Sequence, residues 1–265
     1  MSAAAAAAGA PLLAIEGLTR HFGGVRAVDG VTFAVRPQEV YGLIGPNGAG
    51  KTTLINLVTG LLRPQSGRVA FAGQDVTGWP AHRVAGCGLA RTYQHIRLFP
   101  EMTALENVVA GEYLRRHAPL WRRLLLLPED GREAAAARER GAALLDALGL
   151  GAYAAAPAGS LAYGDRRRLE IARALAARPR LLLLDEPAAG MTHAEAGRLV
   201  ELIRQLPERG QAVLLVEHNM RVVMEACGRI GVLDFGRLIA EGSPAAVRDD
   251  RRVIEAYLGR DEDGA

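Results

Sequence analysis

The stretch IGPNGAGKTT, residues 44–53, combines closely spaced glycines with the only lysine of the chain. Gly45, four further residues, and then Gly50, Lys51 and Thr52 match the pattern of a phosphate-binding loop, GxxxxGK followed by Ser or Thr. In such a loop the glycines let backbone N–H groups turn inward around an anion, and the N-terminus of the following helix adds a partial positive charge. The stretch therefore predicts a loop that holds the phosphates of a nucleotide.

The lysine itself supports this interpretation, because all other basic residues of the chain are arginines. A slender ammonium group can reach between the β- and γ-phosphates inside the loop, where a planar guanidinium would not fit. The run VYGLI (40–44) has the pattern of a buried strand, and residues 52–62 have that of a helix. The competing interpretation is a plain glycine turn with a surface lysine. The residues predicted to contact the nucleotide are Gly45, Pro46, Asn47, Gly48, Ala49, Gly50, Lys51, Thr52 and Thr53.

The composition limits the classes of protein to which the chain can belong. With 265 residues, 49% of them hydrophobic and 23% charged, the chain has the character of an ordinary soluble globular protein of one or two domains. The formal charge of +3, with arginines interspersed among acids, does not support nucleic-acid binding, and we expect no nucleic-acid partner. Cys87 and Cys227 lie far apart, which excludes a disulfide framework or a zinc site and favours a reducing compartment.

No segment has the pattern of a leader or a membrane span. The chain start lacks the basic residues of a secretory leader, and we expect residues 1–12 to form a disordered alanine-rich tail. The longest uncharged stretch, residues 147–164, is interrupted by glycines, a proline and a serine, so we predict no transmembrane helix. If the protein works at a membrane, another chain must supply the span.

The order of apolar runs predicts an α/β fold. Runs typical of parallel strands buried on both faces occur at residues 40–44, 181–185 and 212–217. VTFAV (31–35) and GRVAFAG (67–73) are bounded by turn residues and predict antiparallel strands. Residues 132–148 are rich in helix formers. We therefore predict a nucleotide-binding α/β core, an antiparallel β subdomain and a helical subdomain inserted at about residues 95–165.

Two adjacent carboxylates follow the run LLLLD. Asp185, at the predicted strand end, is expected to hold Mg²⁺ together with the Thr52 hydroxyl. Glu186 would then face the γ-phosphate and act as the general base for the attacking water. The alternative is a solvated acidic turn after a core strand, which would leave its pairing with the phosphate loop to coincidence.

The segment LAYGDRRRLEI (161–171) resembles the signature of ATP-binding cassette (ABC) proteins, usually written LSGGQ. The resemblance extends over nearly the whole chain from about Leu13. It implies a P-loop NTPase with a RecA-like core and the two subdomains above, with residues 13–265 forming one cassette. In this family two cassettes face each other, and the signature of one closes on the ATP that the other holds. The signature residues expected to contact ATP are Ala162, Tyr163, Gly164 and Asp165.

The resemblance also implies roles for single residues. His218, in LLVEHNM, matches the family's switch histidine. Gln94, in ARTYQHIRLF, matches the glutamine that contacts the metal and the attacking water. Phe22 stands where the family places an aromatic ring under the adenine. The plainer alternatives are a histidine at a strand end, a solvated loop amide and a core aromatic ring.

Further sequence motifs resemble those of one branch of the family, the larger cassette of branched-chain amino acid importers. The similar segments are RTYQHIRLF, LAYGDRRRLEIARALA, EPAAGM, VIEAYLG and the long insertion with HAPLWRRLLLLPED at 117–130. It implies a peripheral subunit on the cytoplasmic face of a bacterial inner membrane. Its partners would be a second cassette, identical or different, two multi-span permease subunits and, indirectly, a periplasmic binding protein. Urea, short amides and other amino acids remain alternative cargoes.

Three positions depart from the family pattern. Ala162 replaces the signature serine and removes one hydroxyl from the shell of the γ-phosphate. Asp165 replaces the usual glutamine, and we expect it to cap the following helix. Thr192 replaces the aspartate that commonly ends the loop after the catalytic glutamate, which puts communication between the two ATP sites in doubt.

Other classes fit less well. A small-molecule kinase would have no use for the signature, and a non-transport cassette would usually carry two cassettes or a long coiled coil. A degenerate, binding-only cassette is disfavoured because Lys51, Asp185, Glu186 and His218 are all present. We expect Leu98, Phe99 and residues 124–127 to dock a helix of a membrane subunit, unless these leucines pack the insertion's own core.

Overall fold

A computed structural model describes residues 10–94, 96–112 and 128–258 of the chain. The predicted tail up to residue 9, residues 113–127 with the docking leucines 124–127, and Gly259 of VIEAYLG lie outside the described residues. Leu12, which we placed in the tail, is buried, and its N–H donates to the carbonyl of Val35. The packed chain therefore includes Leu12.

The described residues form two sheets. The strands, in chain order, are β1 (Leu13–Phe22), β2 (Val25–Val35), β3 (Val40–Ile44), β4 (Ser66–Phe71), β5 (Gln74–Asp75), β6 (Leu89–Arg91), β7 (Leu181–Asp185), β8 (Ala212–Val216), β9 (Arg229–Asp234) and β10 (Arg237–Gly242). The helices are α1 (Lys51–Val58), α2 (Ala81–Gly86), α3 (Ala104–Gly111), α4 (Pro128–Ala147), α5 (Tyr163–Ala176), α6 (His193–Gln205), α7 (Met220–Ala226), α8 (Pro244–Arg248) and α9 (Arg251–Leu258).

The larger sheet has the order β10-β9-β3-β8-β7-β6. Strands β9, β3, β8, β7 and β6 run parallel, and β10 closes one edge antiparallel to β9. In a parallel sheet the carboxyl ends of neighbouring strands meet at one edge, where ligands bind in open α/β folds. The loops after β3, β7 and β8 therefore come together, and these loops carry the predicted site residues.

Burial on both faces explains the continuous apolar runs. Along β7, Leu181 and Leu183 point into one hydrophobic cluster, and Leu182 and Leu184 point into the other. Since successive side chains of a strand point to opposite faces, a strand covered on both sides has no position left for a polar residue. The α/β fold class and the predicted parallel strands are confirmed.

The smaller sheet, of order β2-β1-β4-β5, is antiparallel, as predicted. In the helical region α3 packs against α4 and α5. The helix predicted at 132–148 is α4, which begins four residues earlier and ends at Ala147. Within the part of the chain that the structure describes, no helix has the length and apolar character needed to cross a membrane.

The helix predicted for residues 52–62 is shorter than expected. α1 ends at Val58, and Gly60 follows in the left-handed region with φ of 75°. The N–H groups of Leu61 and Leu62 both donate to the Asn56 carbonyl, which closes the helix end. A glycine just past a helix is a common stop signal, and here it overrode the apolar periodicity.

Candidate nucleotide site

The phosphate loop connects β3 to α1, as its pattern requires. Gly50 is the N-cap residue of α1 in a left-handed conformation, with φ of 102°. A Cβ atom on Gly45 would lie 2.1 Å from the Leu233 carbonyl oxygen, and one on Gly50 would lie 2.0 Å from that of Ala27. Both glycines are therefore required by close backbone neighbours, apart from any ligand.

Lys51 is the first residue of α1 and is buried. Its Nζ donates to the carbonyl oxygens of Gly45, at 2.6 Å, and Pro46, at 2.9 Å. Burial lowers the pKa of Lys51, while the charges of Glu186 and Asp185 oppose this effect. In the residues that the structure describes, no carboxylate forms a salt bridge with Nζ. A buried cation held by carbonyl groups alone suits an anionic ligand.

Glu186 lies directly after β7, and its backbone is in the left-handed region with φ of 47°. The Glu186 N–H donates to the Val216 carbonyl at the end of the neighbouring strand β8, at 2.8 Å. A non-glycine residue in this conformation costs of the order of 1–3 kcal/mol, and such residues are concentrated at functional sites. The side chain is thus held where strands β7 and β8 end.

Two further predicted residues meet the Glu186 carboxylate. Gln94 Nε2 donates to Glu186 Oε2 at 2.8 Å, and His218 Nδ1 lies 3.8 Å from Glu186 Oε1. The side chain of His218 is 55% exposed, so its other ring edge is open to a ligand. The structure therefore brings Glu186, Gln94 and His218 together from three separate loops.

Asp185, the last residue of β7, is buried and forms an ion pair with Arg91. The distance from Arg91 Nη2 to Asp185 Oδ2 is 2.8 Å, and both side chains are 8% exposed. Arg91 was not predicted, since nothing in its local sequence distinguishes it from the other arginines. Its proximity to Asp185 depends on the pairing of β6 with β7.

Glu217 is a second residue of this region that was not predicted from the sequence. Its carboxylate is fully buried and accepts hydrogen bonds from the N–H groups of Ala188, at 2.7 Å, His218, at 3.1 Å, and Asn219, at 3.3 Å. Burial raises the pKa of Glu217, and the three backbone N–H groups act in the opposite direction. This side chain ties the loop after Glu186 to the loop that carries His218.

The signature segment forms the start of α5. Ala162 is the N-cap residue, without a side-chain hydrogen bond, and Gly164 is buried against Glu195. The expectation that Asp165 caps the helix is wrong, because Asp165 lies inside the first turn and forms an ion pair with Arg168. Its charge still suits the positive end of the helix dipole.

Thr192 and Phe22 complete the predicted set. Thr192 caps α6 through a capping box with Glu195, so a threonine in place of the family's aspartate has a structural role here. Phe22, at the end of β1, is 43% exposed, and the guanidinium of Arg20 lies 4.9 Å from its ring centroid. Within the described residues, no hydrogen bond or ion pair joins Phe22 or residues 162–165 to the phosphate loop.

The residues at this edge fit a nucleotide with Mg²⁺. Thr52 is exposed on the first turn of α1, and Asp185 has one carboxylate oxygen that is not bonded to Arg91. Hydroxyl and carboxylate oxygens are the donors that Mg²⁺ prefers, usually completed by substrate phosphates and water. No group of three or more His, Cys, Asp or Glu residues in the described chain could hold a metal without such help.

Comparisons with known proteins agree with this geometry. A family model described as ABC transporter matches residues 28–189, and one described as branched-chain amino acid ATP-binding cassette transporter matches residues 237–263. The chain is 43% identical over 250 residues to the high-affinity branched-chain amino acid transport ATP-binding protein LivG of Escherichia coli strain K12. The alignment covers 94% of this chain and 98% of LivG. BraF of Pseudomonas aeruginosa, described in the same words, matches with the same identity and coverage.

Among solved structures, the chain is similar to the ADP conformation of MJ1267, described as an ATP-binding cassette of an ABC transporter. The TM-score is 0.81 at 32% sequence identity, and the match covers 94% of this chain and 99% of that one.

Proposed function

The chain belongs to the ABC transporter family as an ATP-binding subunit, and from this premise we propose that it hydrolyses ATP to drive an importer of branched-chain amino acids. The observation that carries the catalytic part is the convergence of Gln94 and His218 on the Glu186 carboxylate. The match of residues 237–263 to the branched-chain amino acid model and the full-length similarity to LivG support the cargo.

Binding begins at the phosphate loop. The backbone of residues 45–50 and the N-terminus of α1 surround the phosphates, and Lys51 exchanges its two carbonyl partners for phosphate oxygens. Phe22, exposed at the end of β1, stacks against the adenine. Thr52 and Asp185 would hold Mg²⁺, which supplies positive charge to the phosphate oxygens when it is bound.

Hydrolysis then depends on the residues around Glu186. Its carboxylate accepts the proton of the attacking water. Gln94 orients the carboxylate through its hydrogen bond and stands beside the water. His218 donates to the oxygens of the terminal phosphate from its open edge. The hydrogen bond from the Glu186 N–H to the Val216 carbonyl holds the base in this position before ATP arrives, despite the strained backbone.

A second cassette completes each site. At the start of α5, Ala162 and Tyr163 are exposed, Asp165 is partly exposed and Gly164 is buried. Within the described residues, these four have no hydrogen bond or ion pair with this chain's own phosphate loop. The exposed residues Ala162 and Tyr163 and the N-terminus of α5 suit the ATP that a partner cassette holds. The pair consists of two copies of this chain or of this chain and a related one.

The cassette pair sits on the cytoplasmic face of the inner membrane, against two permease subunits. A groove of about 730 Å³, lined by β6, α2, α5 and Phe99, suits a short helix of a permease. Phe99 is 51% exposed, while Leu98 packs partly against the core, so Phe99 is the better docking candidate of the two. A periplasmic protein would deliver the cargo to the permeases.

Crosslinking tests the docking surface. In a Cys87→Ser background, Phe99→Cys should form crosslinks to a co-expressed permease subunit, because Phe99 lines the groove. Tyr153→Cys is the matched control, since Tyr153 is also an exposed aromatic residue but does not line the groove. Crosslinks from position 153 alone, or to the second cassette alone, would refute this surface.

Transport tests the function as a whole. The chain, co-expressed with its permease subunits and second cassette, should support ATP-dependent uptake of leucine and valine into vesicles. Urea and a short amide serve as the competing cargoes in the same vesicles. Uptake of urea but not of leucine would overturn the cargo, and absence of ATP hydrolysis by the intact complex would overturn the enzymatic role.

A further inference from the structure

Arg91 forms a buried link that the proposed function leaves without a role. It is the last residue of β6, and its side chain extends to the carboxyl end of the neighbouring strand β7. There Nη2 donates to Asp185 Oδ2 at 2.8 Å. Nη1 donates to Asn56 Oδ1 at 2.7 Å and to Thr59 Oγ1 at 3.4 Å. One guanidinium thus contacts both the end of β7 and the helix that begins with Lys51.

The Arg91 side chain is buried and packs against an aromatic ring. Only 8% of it is exposed, and its guanidinium lies 4.9 Å from the ring centroid of Tyr93. An arginine fork that donates through two different nitrogens fixes both the position and the orientation of its acceptors. The acceptors here are Asp185 and Asn56, so the link sets the position of the Asp185 carboxylate relative to α1.

The ion pair engages only one of the two carboxylate oxygens of Asp185. Because Oδ2 is bonded to Arg91, Oδ1 is the carboxylate oxygen left for another ligand. A carboxylate at a metal site is generally oriented by partners that bind its second oxygen, and losing such a partner weakens metal binding about 10- to 100-fold. Arg91 occupies the place of such a partner.

Arg91 also lines the groove proposed for the permease helix. Thr59, Arg91 and Tyr93 all belong to its walls. Arg91 therefore borders the groove, whereas Asp185 itself is not part of the lining.

We propose that Arg91 is a positioning residue, which orients Asp185 for Mg²⁺. The inference rests on the proposed function, since it requires that Asp185 hold Mg²⁺ with ATP. Arg91 does not touch the nucleotide in this proposal; it acts through Asp185 alone. Metal-free binding of ATP depends mainly on Lys51, so the loss of Arg91 should affect it less than it affects the binding of Mg²⁺.

The test measures metal binding directly. In a Glu186→Gln background, Mn²⁺ replaces Mg²⁺, and electron paramagnetic resonance gives the Kd of Mn²⁺ for the ATP-loaded chain. Arg91→Met should raise this Kd about 10-fold or more. Arg91→Lys should recover only part of the loss, because one ammonium cannot reach both Asp185 and Asn56 in the fork geometry. The affinity for a fluorescent ATP analogue in EDTA should change less than the Kd of Mn²⁺ in all variants.

Two further variants keep the test decisive. Arg180→Met is the matched control, because Arg180 lines the same groove without a contact to Asp185, and its Kd for Mn²⁺ should equal that of the parent. Asn56→Ala retains Arg91 but removes one of its anchors, and it should raise the Kd in the same direction even if Arg91→Met fails to fold.

The outcomes distinguish the metal role of Asp185 from the positioning role of Arg91. If the parent chain binds ATP but ATP does not increase its affinity for Mn²⁺, the proposed metal role of Asp185 fails. If ATP increases Mn²⁺ affinity equally in the parent, Arg91→Met and Asn56→Ala, the proposed function stands and the role of Arg91 is refuted.

Discussion

Gln94 and Glu186, which are 92 positions apart in the sequence, share a 2.8 Å hydrogen bond from Gln94 Nε2 to Glu186 Oε2. The bond joins the chain after β6 to the chain after β7, at the edge where the phosphate loop also lies. It gives the carboxylate a fixed partner while leaving its other oxygen toward His218.

Glu186→Gln should separate binding from chemistry. The amide keeps the shape of the side chain and can still accept the hydrogen bond from Gln94, but it cannot take a proton from water. We expect ATP affinity to stay near that of the parent and turnover to fall about 100-fold or more. Hydrolysis and binding are measured on one preparation, with the exposed Glu201→Gln on α6 as the control. Equal loss of both properties would show that Glu186 has a structural role.

Lys51 variants should lose ATP binding. Lys51→Ala removes the cation, and we expect binding to be abolished. Lys51→Arg keeps the charge, but the buried space beside the Gly45 and Pro46 carbonyls suits an ammonium, so affinity should fall at least about tenfold. Equilibrium titration with a fluorescent ATP analogue measures both. An arginine variant with the affinity of the parent would disprove the steric argument.

ATP affinity should decline at alkaline pH because of Lys51. Burial lowers its pKa in the free chain below the ordinary value of 10.5, whereas bound phosphates favour the charged form. As pH rises through the lowered pKa, the free chain must take up a proton to bind, and affinity falls by up to about tenfold per pH unit. Titrations without metal, from about pH 7 to about pH 10, measure this decline.

The Glu186→Gln variant sharpens that test. The Glu186 charge raises the pKa of Lys51, so its removal should move the decline in affinity to lower pH. An identical pH profile in the two proteins would show that another group causes the decline.

Gly164→Ala should destabilise the chain itself. A Cβ atom there would lie 2.2 Å from Glu195 Oε1, and the other oxygen of this carboxylate is engaged in the capping box with Thr192. Displacing Glu195 should cost about 0.5–2 kcal/mol of unfolding free energy, which urea denaturation measures. Glu195→Ala should remove the conflict, so the double variant should be more stable than the sum of the single effects predicts. Simple additivity would contradict the contact.

The same position tests the two-cassette arrangement. Gly164→Asp adds a negative charge where a partner's phosphates are expected, yet the isolated chain should still bind ATP through Lys51. Mixed pairs of mutant and wild-type subunits should lose turnover at the site that the mutant signature completes. If Gly164→Asp weakens ATP binding of the isolated chain as much as Lys51→Ala does, the signature acts within one subunit.

Glu217 should make stability depend on pH. Its pKa is raised above the ordinary value of 4.5, so its contribution to folding is fully present below 4.5 and is lost as pH rises through the higher folded value. The amide of a Glu217→Gln variant cannot ionise. The substitution should still lower the free energy of unfolding by about 1–3 kcal/mol, because the new NH₂ group faces a backbone N–H that it cannot accept from. Urea unfolding at about pH 5 and about pH 8 measures the free energy of unfolding of both proteins. Relative to the parent, the variant should be more stable at the higher pH than at the lower pH. A pH-independent difference would contradict the role of burial.

The features that were predicted best from the sequence are those that depend on residues close together along the chain. The phosphate loop has a fixed spacing, and β7 is a continuous apolar run because both of its faces are covered. The end of α1 was less predictable, since apolar residues continue to Leu62 although Gly60 already turns the chain. Asp165 showed a similar limit: an acid near a helix start can cap it or lie in its first turn, and only the backbone decides between the two.

Arg91 and Glu217 could not have been predicted, for a different reason. Each owes its importance to strand order, which places β6 beside β7 and β7 beside β8. A lone arginine or glutamate has no local pattern that reveals a buried partner about 30 to 90 positions away. Such contacts become visible only when the sheet is assembled.

Lys51 offers a practical consequence beyond its role in binding. It is the only lysine of the chain, and in the folded protein its ammonium is buried against two carbonyl groups. A lysine-specific protease can therefore cut this chain at one peptide bond only, after residue 51, and only when the first turn of α1 opens. The rate of that single cleavage reports how often the phosphate loop opens in solution, with no label attached to the protein.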